Sequence, residues 1–224
     1  MSNRLVFIVE GDCEEYLINS KVIPYLYLHL NGDSMWTMNA QKIVTSRKAH
    51  ARGGNVGYSY LKADIKRTAV QNNGNTFITT FLDFFRLPND FPGYDTHDID
   101  AIESAMAADN ENIHLIPYIQ KFEFETLLFS DRNALETVID DQKGMKAVDG
   151  ILSAYPNIED INSSPEKAPS KRLQSIFRYN KTADSSMVLD SMDINTILDK
   201  CNRFKCWVNR LVQLINKYSP DISQ

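Results

Sequence analysis

The first strongly apolar run of the chain, Leu5-Val6-Phe7-Ile8-Val9, passes directly into Glu10-Gly11 and then into the acidic stretch Asp12-Cys13-Glu14-Glu15. Unbroken apolar character rich in β-branched and aromatic residues predicts a buried strand, and the glycine followed by acids predicts a tight turn into a helix. Asp12 is placed to cap that helix, with Glu15 completing a capping box. Tyr16, Leu17, Ser20 and Ile23 then recur at helical spacing, and Pro24 should end or kink the helix. Glu10 therefore stands at the carboxyl end of a strand, the edge where open parallel sheets bind ligands. Glu14 has two readings, a charge favouring the helix dipole or a second metal ligand.

The same pattern reading gives the next elements. Residues 36–45 predict a second strand around Ile43 and Val44, followed by the basic loop Ser46-Arg47-Lys48-Ala49-His50-Ala51-Arg52-Gly53-Gly54. Such a loop is either a phosphate contact or a solvated surface segment. A helix over 58–71 turns Leu61 and Ile65 inward and Lys62, Lys66 and Arg67 outward, until Asn72-Asn73-Gly74-Asn75 breaks it. Residues 76–83 form the clearest strand after the first, and it too ends in an acid, Asp83. If the two strands are parallel neighbours, Glu10 and Asp83 emerge at one edge, where like charges repel unless a cation or a shared proton lies between them. The other reading of Asp83 is a turn cap ahead of Pro88. The aromatic segment 84–94 is an ordered loop, lid or packing element. A helix over 98–108 and a strand over 113–119 continue the alternation of a doubly wound α/β fold.

After that strand come Phe122-Glu123-Phe124-Glu125. In an extended chain both acids face one way; in a helix they diverge. Acids set among so many apolar residues are costly to bury without a partner, which favours a functional role. From 131 onward the alternation gives way to helices, so the expected organisation is an α/β domain over 1–130 and a helical extension over 131–224 packed on it. Ser170 is the expected cap of a helix whose first turn holds Lys171 and Arg172, an unfavourable place for cations that points either to an anionic partner or to simple solvation. The final helix, from Ile194 to Ile215 behind Asp193, is expected to pack in a core, with Cys201 and Trp207 as packing residues.

Composition narrows the class. The 224 residues are 43% hydrophobic with a formal charge of −5, enough for a real core and against a generally basic nucleic-acid coat. No window approaches the apolar length of a spanning helix and the start lacks a signal pattern, so a cytoplasmic protein without membrane contact is expected. The three cysteines, Cys13, Cys201 and Cys206, are too scattered for a disulfide framework and lack zinc-ligand spacing.

Glu10-Gly11 with Glu14 after the first strand, and Asp83 closing a later one, resemble the Toprim domain of topoisomerases, primases and OLD-type nucleases. Phe122–Phe129, Pro169–Arg172 and the helix from Cys201 to Leu211 extend the likeness to a bacterial Toprim-like family whose genes often lie beside an ABC-type ATPase in phage-defence loci. The resemblance implies a mainly parallel central sheet flanked by helices, with a C-terminal helical extension. It also implies a site for Mg2+ or Mn2+ built from Glu10, Glu14 and Asp83. The second aspartate of the family's pair would fall at Phe85, which binds no metal, so Glu123 or Glu125 is the expected replacement. The leading expectation is a divalent-metal-dependent nuclease acting on DNA or RNA, with Glu10 and Asp83 catalytic. Arg47, Lys48, Arg52, Lys171 and Arg172 are expected on the phosphate backbone. An ATPase partner is implied, and the oligomeric state stays open between monomer and homodimer. The rival expectations are a catalytically silent module docking on the ATPase, and a small-molecule phosphohydrolase with a deep pocket under the aromatic loop.

Overall fold

The computed structural model describes residues 2–31, 35–46, 51–52, 57–71, 75–162 and 164–219. Its residues fall into two compact units, 1–119 with 209–224, and 120–208.

The first unit is built on a mainly parallel sheet. Strand β1 (Asn3–Val9) leads into helix α1 (Asp12–Leu17), a π-helical turn (Ile18–Val22) and helix α2 (Ile23–Leu28). Strands β2 (Trp36–Lys42), β3 (Val44–Ser46) and β4 (Ala51–Arg52) precede helix α3 (Tyr58–Ala69). Strand β5 (Thr76–Asp83), helix α4 (Ile99–Ala108) and the short strands β6 (Leu115–Ile116) and β7 (Ile119–Gln120) follow. The sheet runs β2-β1-β5-β6, with β7 also paired to β5, while β3 and β4 form a separate antiparallel ladder. β1 is parallel to both β2 and β5, so the α/β class is as the alternation predicts, and the two apolar strands are parallel neighbours.

Continuous apolar character in β1 and β5 reflects burial on both faces. Val6 and Ile8 of β1 join Ile78 and Leu82 of β5 in a core closed by Leu61 and Ile65 of α3 and Ile102 and Met106 of α4. Leu87 and Phe91 of the aromatic segment are part of that core, with Phe84 and Tyr94 packed against it. Phe84, Phe91 and Tyr94 are therefore packing residues. C-terminal residues complete the unit: Asn3 donates to the Tyr218 carbonyl at 2.9 Å, and Asn216 donates to that of His29 at 3.0 Å.

Several local expectations are corrected. The helix expected to end or kink at Pro24 does not end there but is interrupted just ahead of it: a π turn carries the Ile23 N–H to the Ile18 carbonyl, and Pro24 enters the first turn of α2. Asp12 does not cap α1; Gly11 occupies that position without a side-chain bond, and Asp12 turns to Lys42 instead. The strand expected over 36–45 is split between β2 and β3, with Ile43 between them, and the one over 113–119 is split at Pro117, which has no N–H for a ladder.

The second unit is helical. Its elements are a 3-10 segment (Phe124–Ser130) and helices α5 (Arg132–Leu135), α6 (Gln142–Ala154), α7 (Pro169–Ile176), α8 (Lys181–Ser191) and α9 (Ile194–Lys200), and helix α10 (Asn202–Lys217) begins in it. The expected single last helix is broken at Cys201, whose φ of −117° and ψ of 88° leave the helical region. The buried Glu159 carboxylate takes the freed N–H groups, accepting from Arg203 at 2.8 Å and Phe204 at 3.2 Å. Asp193 does cap α9, accepting from the Asn195 N–H at 2.8 Å. Among the described residues no helix is long and apolar enough to cross a membrane.

Candidate functional site

The register of the parallel strands places polar residues together. Val9 is level with Lys42 on one side and with Phe81 on the other. Glu10 leaves the sheet one residue beyond Val9, β5 runs on to Asp83, and β2 ends at Lys42. The carboxyl edge of three adjacent strands thus carries two acids and a lysine, the place where parallel sheets bind ligands. The first turn of α1 adds Asp12, Glu14 and Glu15.

Burial distinguishes these acids. Glu14 is 2% exposed and Asp83 8%, while Glu10 is half-buried. Burying a carboxylate is costly unless charge or hydrogen bonds compensate it, so two at one sheet edge need a local reason. Gly11 supplies the room for the first: a β-carbon there would lie 2.8 Å from Glu14 Oε2. Asp83, last residue of a strand buried throughout its length, shares by alternation the face of Thr79 and Phe81. Lys42 donates to Asp12 Oδ1 at 2.5 Å and lies 3.9 Å from Glu15 Oε2, tying the end of β2 to the first turn of α1. Sequence reading passed over Lys42, because a lone lysine at the end of a mixed strand has no motif; its level with Val9 across the ladder is what marks it.

The other expected site residues belong to other elements of the chain. Glu123 and Glu125 belong to the second unit: Glu123 is extended, and Glu125 lies in the first turn of the 3-10 segment that begins at Phe124. Glu123 accepts from the Ser170 N–H at 2.9 Å and the Ser170 hydroxyl at 3.0 Å. It thereby serves the first turn of α7, whose cap position is Ala168 rather than the expected Ser170. Glu125, fully buried, has Lys181 Nζ at 3.4 Å, and the Tyr179 hydroxyl donates to it at 3.4 Å. Lys171 is exposed and donates to Gln174. Arg172 stacks 4.9 Å from the Tyr155 ring centroid and donates to its hydroxyl and to the Lys167 carbonyl. Arg47 and Lys48 lie outside the described residues, and of Arg52 only the backbone, in β4, is described.

A hard divalent cation takes oxygen ligands, and magnesium is commonly held by one or two carboxylates with water and substrate phosphate filling the rest. Glu14 and Asp83, as buried carboxylates, are oxygen donors of the type that role takes. Among the described residues, no group of three or more His, Cys, Asp or Glu side chains that could hold a metal ion is found.

No curated protein and no solved structure gives a significant match to the chain. A family model does match residues 9–212, a span that takes in Glu10, Glu14, Lys42, Asp83 and the helices of the second unit. The chain belongs to the family described as "Domain of unknown function (DUF4276)".

Proposed function

We propose that this chain is a divalent-metal-dependent phosphodiesterase acting on nucleic acid, with Mg2+ or Mn2+ held at the carboxyl edge of β1 and β5. The observation that carries this reading is the burial of Glu14 and Asp83 at that edge, with Gly11 leaving the space that the Glu14 carboxylate occupies. Glu14 and Asp83 would hold the ion, and Glu10 would complete its shell or take the proton from an attacking water oxygen. A bound divalent cation supplies Lewis-acid polarisation of the phosphoryl group. Lys42 fixes the first turn of α1 through Asp12 and Glu15, and with it the backbone that presents Glu14. Lys171 and Arg172, with the basic segment carrying Arg47, Lys48 and Arg52, are the proposed contacts to the sugar–phosphate backbone, which position substrate without reading sequence. The Toprim likeness and an ATPase partner belong to the same proposal.

A second reading, a silent module that docks on its partner, is favoured by one feature: the position two residues beyond Asp83 is Phe85, which offers no ligand. The test is a nicking and RNA-cleavage assay with Mg2+ and with Mn2+ on wild type, Glu10→Ala and Asp83→Ala. Cleavage that needs the metal and is lost in both variants supports the phosphodiesterase. Cleavage in no sample supports the docking module.

A further inference from the structure

The helical segment that follows β1 buries Cys13, Glu14, Leu17 and Ile18. Asp12, Glu15, Tyr16, Asn19 and Ser20 recur at helical spacing on its other side, and these five line a cavity of about 320 Å3, at the small end of ligand cavities. Lys42 ties the cavity to the carboxyl edge of the sheet, donating to Asp12 at 2.5 Å and standing 3.9 Å from Glu15. Asn19 and Ser20 belong to the π turn, a rare conformation that collects at functional sites. The Ser20 hydroxyl turns back to the Tyr16 carbonyl at 2.7 Å, while Asn19 is exposed.

The lining selects its ligand by chemistry. Carboxylates such as Asp12 and Glu15 only accept hydrogen bonds, and the Asn19 amide both accepts and donates. A phosphate entering here meets like charge and is repelled. An uncharged planar group that carries an amine meets acceptors instead. Nucleobases are such groups, and they divide on this point: cytosine presents an amine at N4, where uracil presents a carbonyl oxygen that Glu15 repels.

We propose that this cavity takes one unpaired, amine-bearing base of a single-stranded nucleic acid, with Glu15 accepting from the amine and Asn19 bonding the rest of the base edge. The choice of a base as ligand rests on the phosphodiesterase reading; the location rests on the cavity. A base edge is open to such contacts only where it is unpaired, so the substrate is single-stranded at this point. Glu14, which precedes Glu15 in the same turn, would then face the neighbouring backbone.

The test is fluorescence anisotropy of labelled oligo-dC and oligo-dU, which differ in the base edge and share a backbone. It uses the full chain without divalent metal, as wild type, Glu15→Gln and Asn19→Ala, with each thermal midpoint measured alongside. Wild type should favour oligo-dC about tenfold. Glu15→Gln can donate as well as accept, so the preference should vanish whatever the loss of one negative charge does to both affinities. Asn19→Ala should weaken oligo-dC about fivefold with its salt slope unchanged, because no phosphate contact is lost. Equal wild-type affinities, a preference that survives in Glu15→Gln, or unaltered binding in Asn19→Ala each overturn the proposal. The same proteins are then assayed for Mn2+-dependent cleavage. A wild type that favours oligo-dC through Glu15 and Asn19 but cleaves nothing overturns the phosphodiesterase reading and leaves the base site standing. A wild type that binds neither oligonucleotide overturns both.

Discussion

Gly11 leaves open the space that the Glu14 carboxylate occupies: a β-carbon on Gly11 would lie 2.8 Å from Glu14 Oε2. The backbone of Gly11 is extended, with φ of −150°, so conformation does not demand glycine there. The requirement is room for the carboxylate.

That distinction gives a clean variant. Gly11→Ala should cost little stability, roughly 1 kcal/mol or less, because the clashing atom is the far end of a flexible side chain and can move aside. It should nevertheless lower metal-dependent cleavage at least as strongly as Glu14→Gln, since the displaced carboxylate no longer sits where the turn holds it. Paired denaturation and cleavage measurements check this. A Gly11→Ala protein that is fully active removes the steric argument.

Glu159 makes a stability prediction independent of the proposed chemistry. Its carboxylate accepts from two N–H groups in the first turn of α10, and Glu159→Ala would leave those donors without it. The expected cost is about 1–3 kcal/mol in urea denaturation, with Glu159→Gln milder because one oxygen acceptor remains. Glu123→Ala should act the same way on α7, at about 1 kcal/mol, through loss of the Ser170 bonds.

These two acids also show where sequence reading stops. Strands β1 and β5 were legible because doubly buried strands are written as unbroken apolar runs, and helix α3 because its apolar positions recur on one face. Glu10 and Asp83 were legible as strand-end acids for the same reason. The roles of Glu123 and Glu159 were not, because their partners lie 47 and 44 residues away and no local spacing encodes a cap delivered from that distance. The break at Cys201 was hidden likewise: apolar spacing continues through it, and the distant Glu159 carboxylate is what satisfies the new helix start. Lys42 acquires meaning only from the ladder that places it.

The cysteines should differ sharply in reactivity. Cys206 is exposed, whereas Cys13 and Cys201 are buried. Burial, and then the charge of Glu159, pushes the Cys201 thiol far above its ordinary range. A thiol reagent added to the native protein at pH 8 should label one cysteine quickly and the other two only on unfolding. Rapid labelling of Cys201 would contradict the packing of the second unit.

Acid and base should each weaken the first unit through one cluster. Asp109 is held below the usual carboxylate range by its bonds from Lys62 and then Tyr58, while burial and then Asp109 push the Tyr58 hydroxyl up. A lowered carboxyl stabilises above its unfolded pKa, and that contribution disappears as pH falls through the folded value. A raised phenol stabilises below its unfolded pKa, and that contribution fades as pH rises toward the folded value. Solvent exposure of the Lys62–Asp109 pair keeps the acid-side effect small. Denaturation midpoints against pH should show both limbs in wild type and a flatter acid limb in Asp109→Asn.

The central claim is that the edge holding Glu14 and Asp83 binds a divalent ion. Titration of Mn2+ into the metal-free chain, followed by electron paramagnetic resonance of the free ion, tests it without requiring a substrate. Saturable Mn2+ binding in the wild type, weakened at least about tenfold in Glu14→Gln and in Asp83→Asn while both variants stay folded, is the predicted result. Binding that is absent in the wild type, or unchanged in both variants, would contradict it.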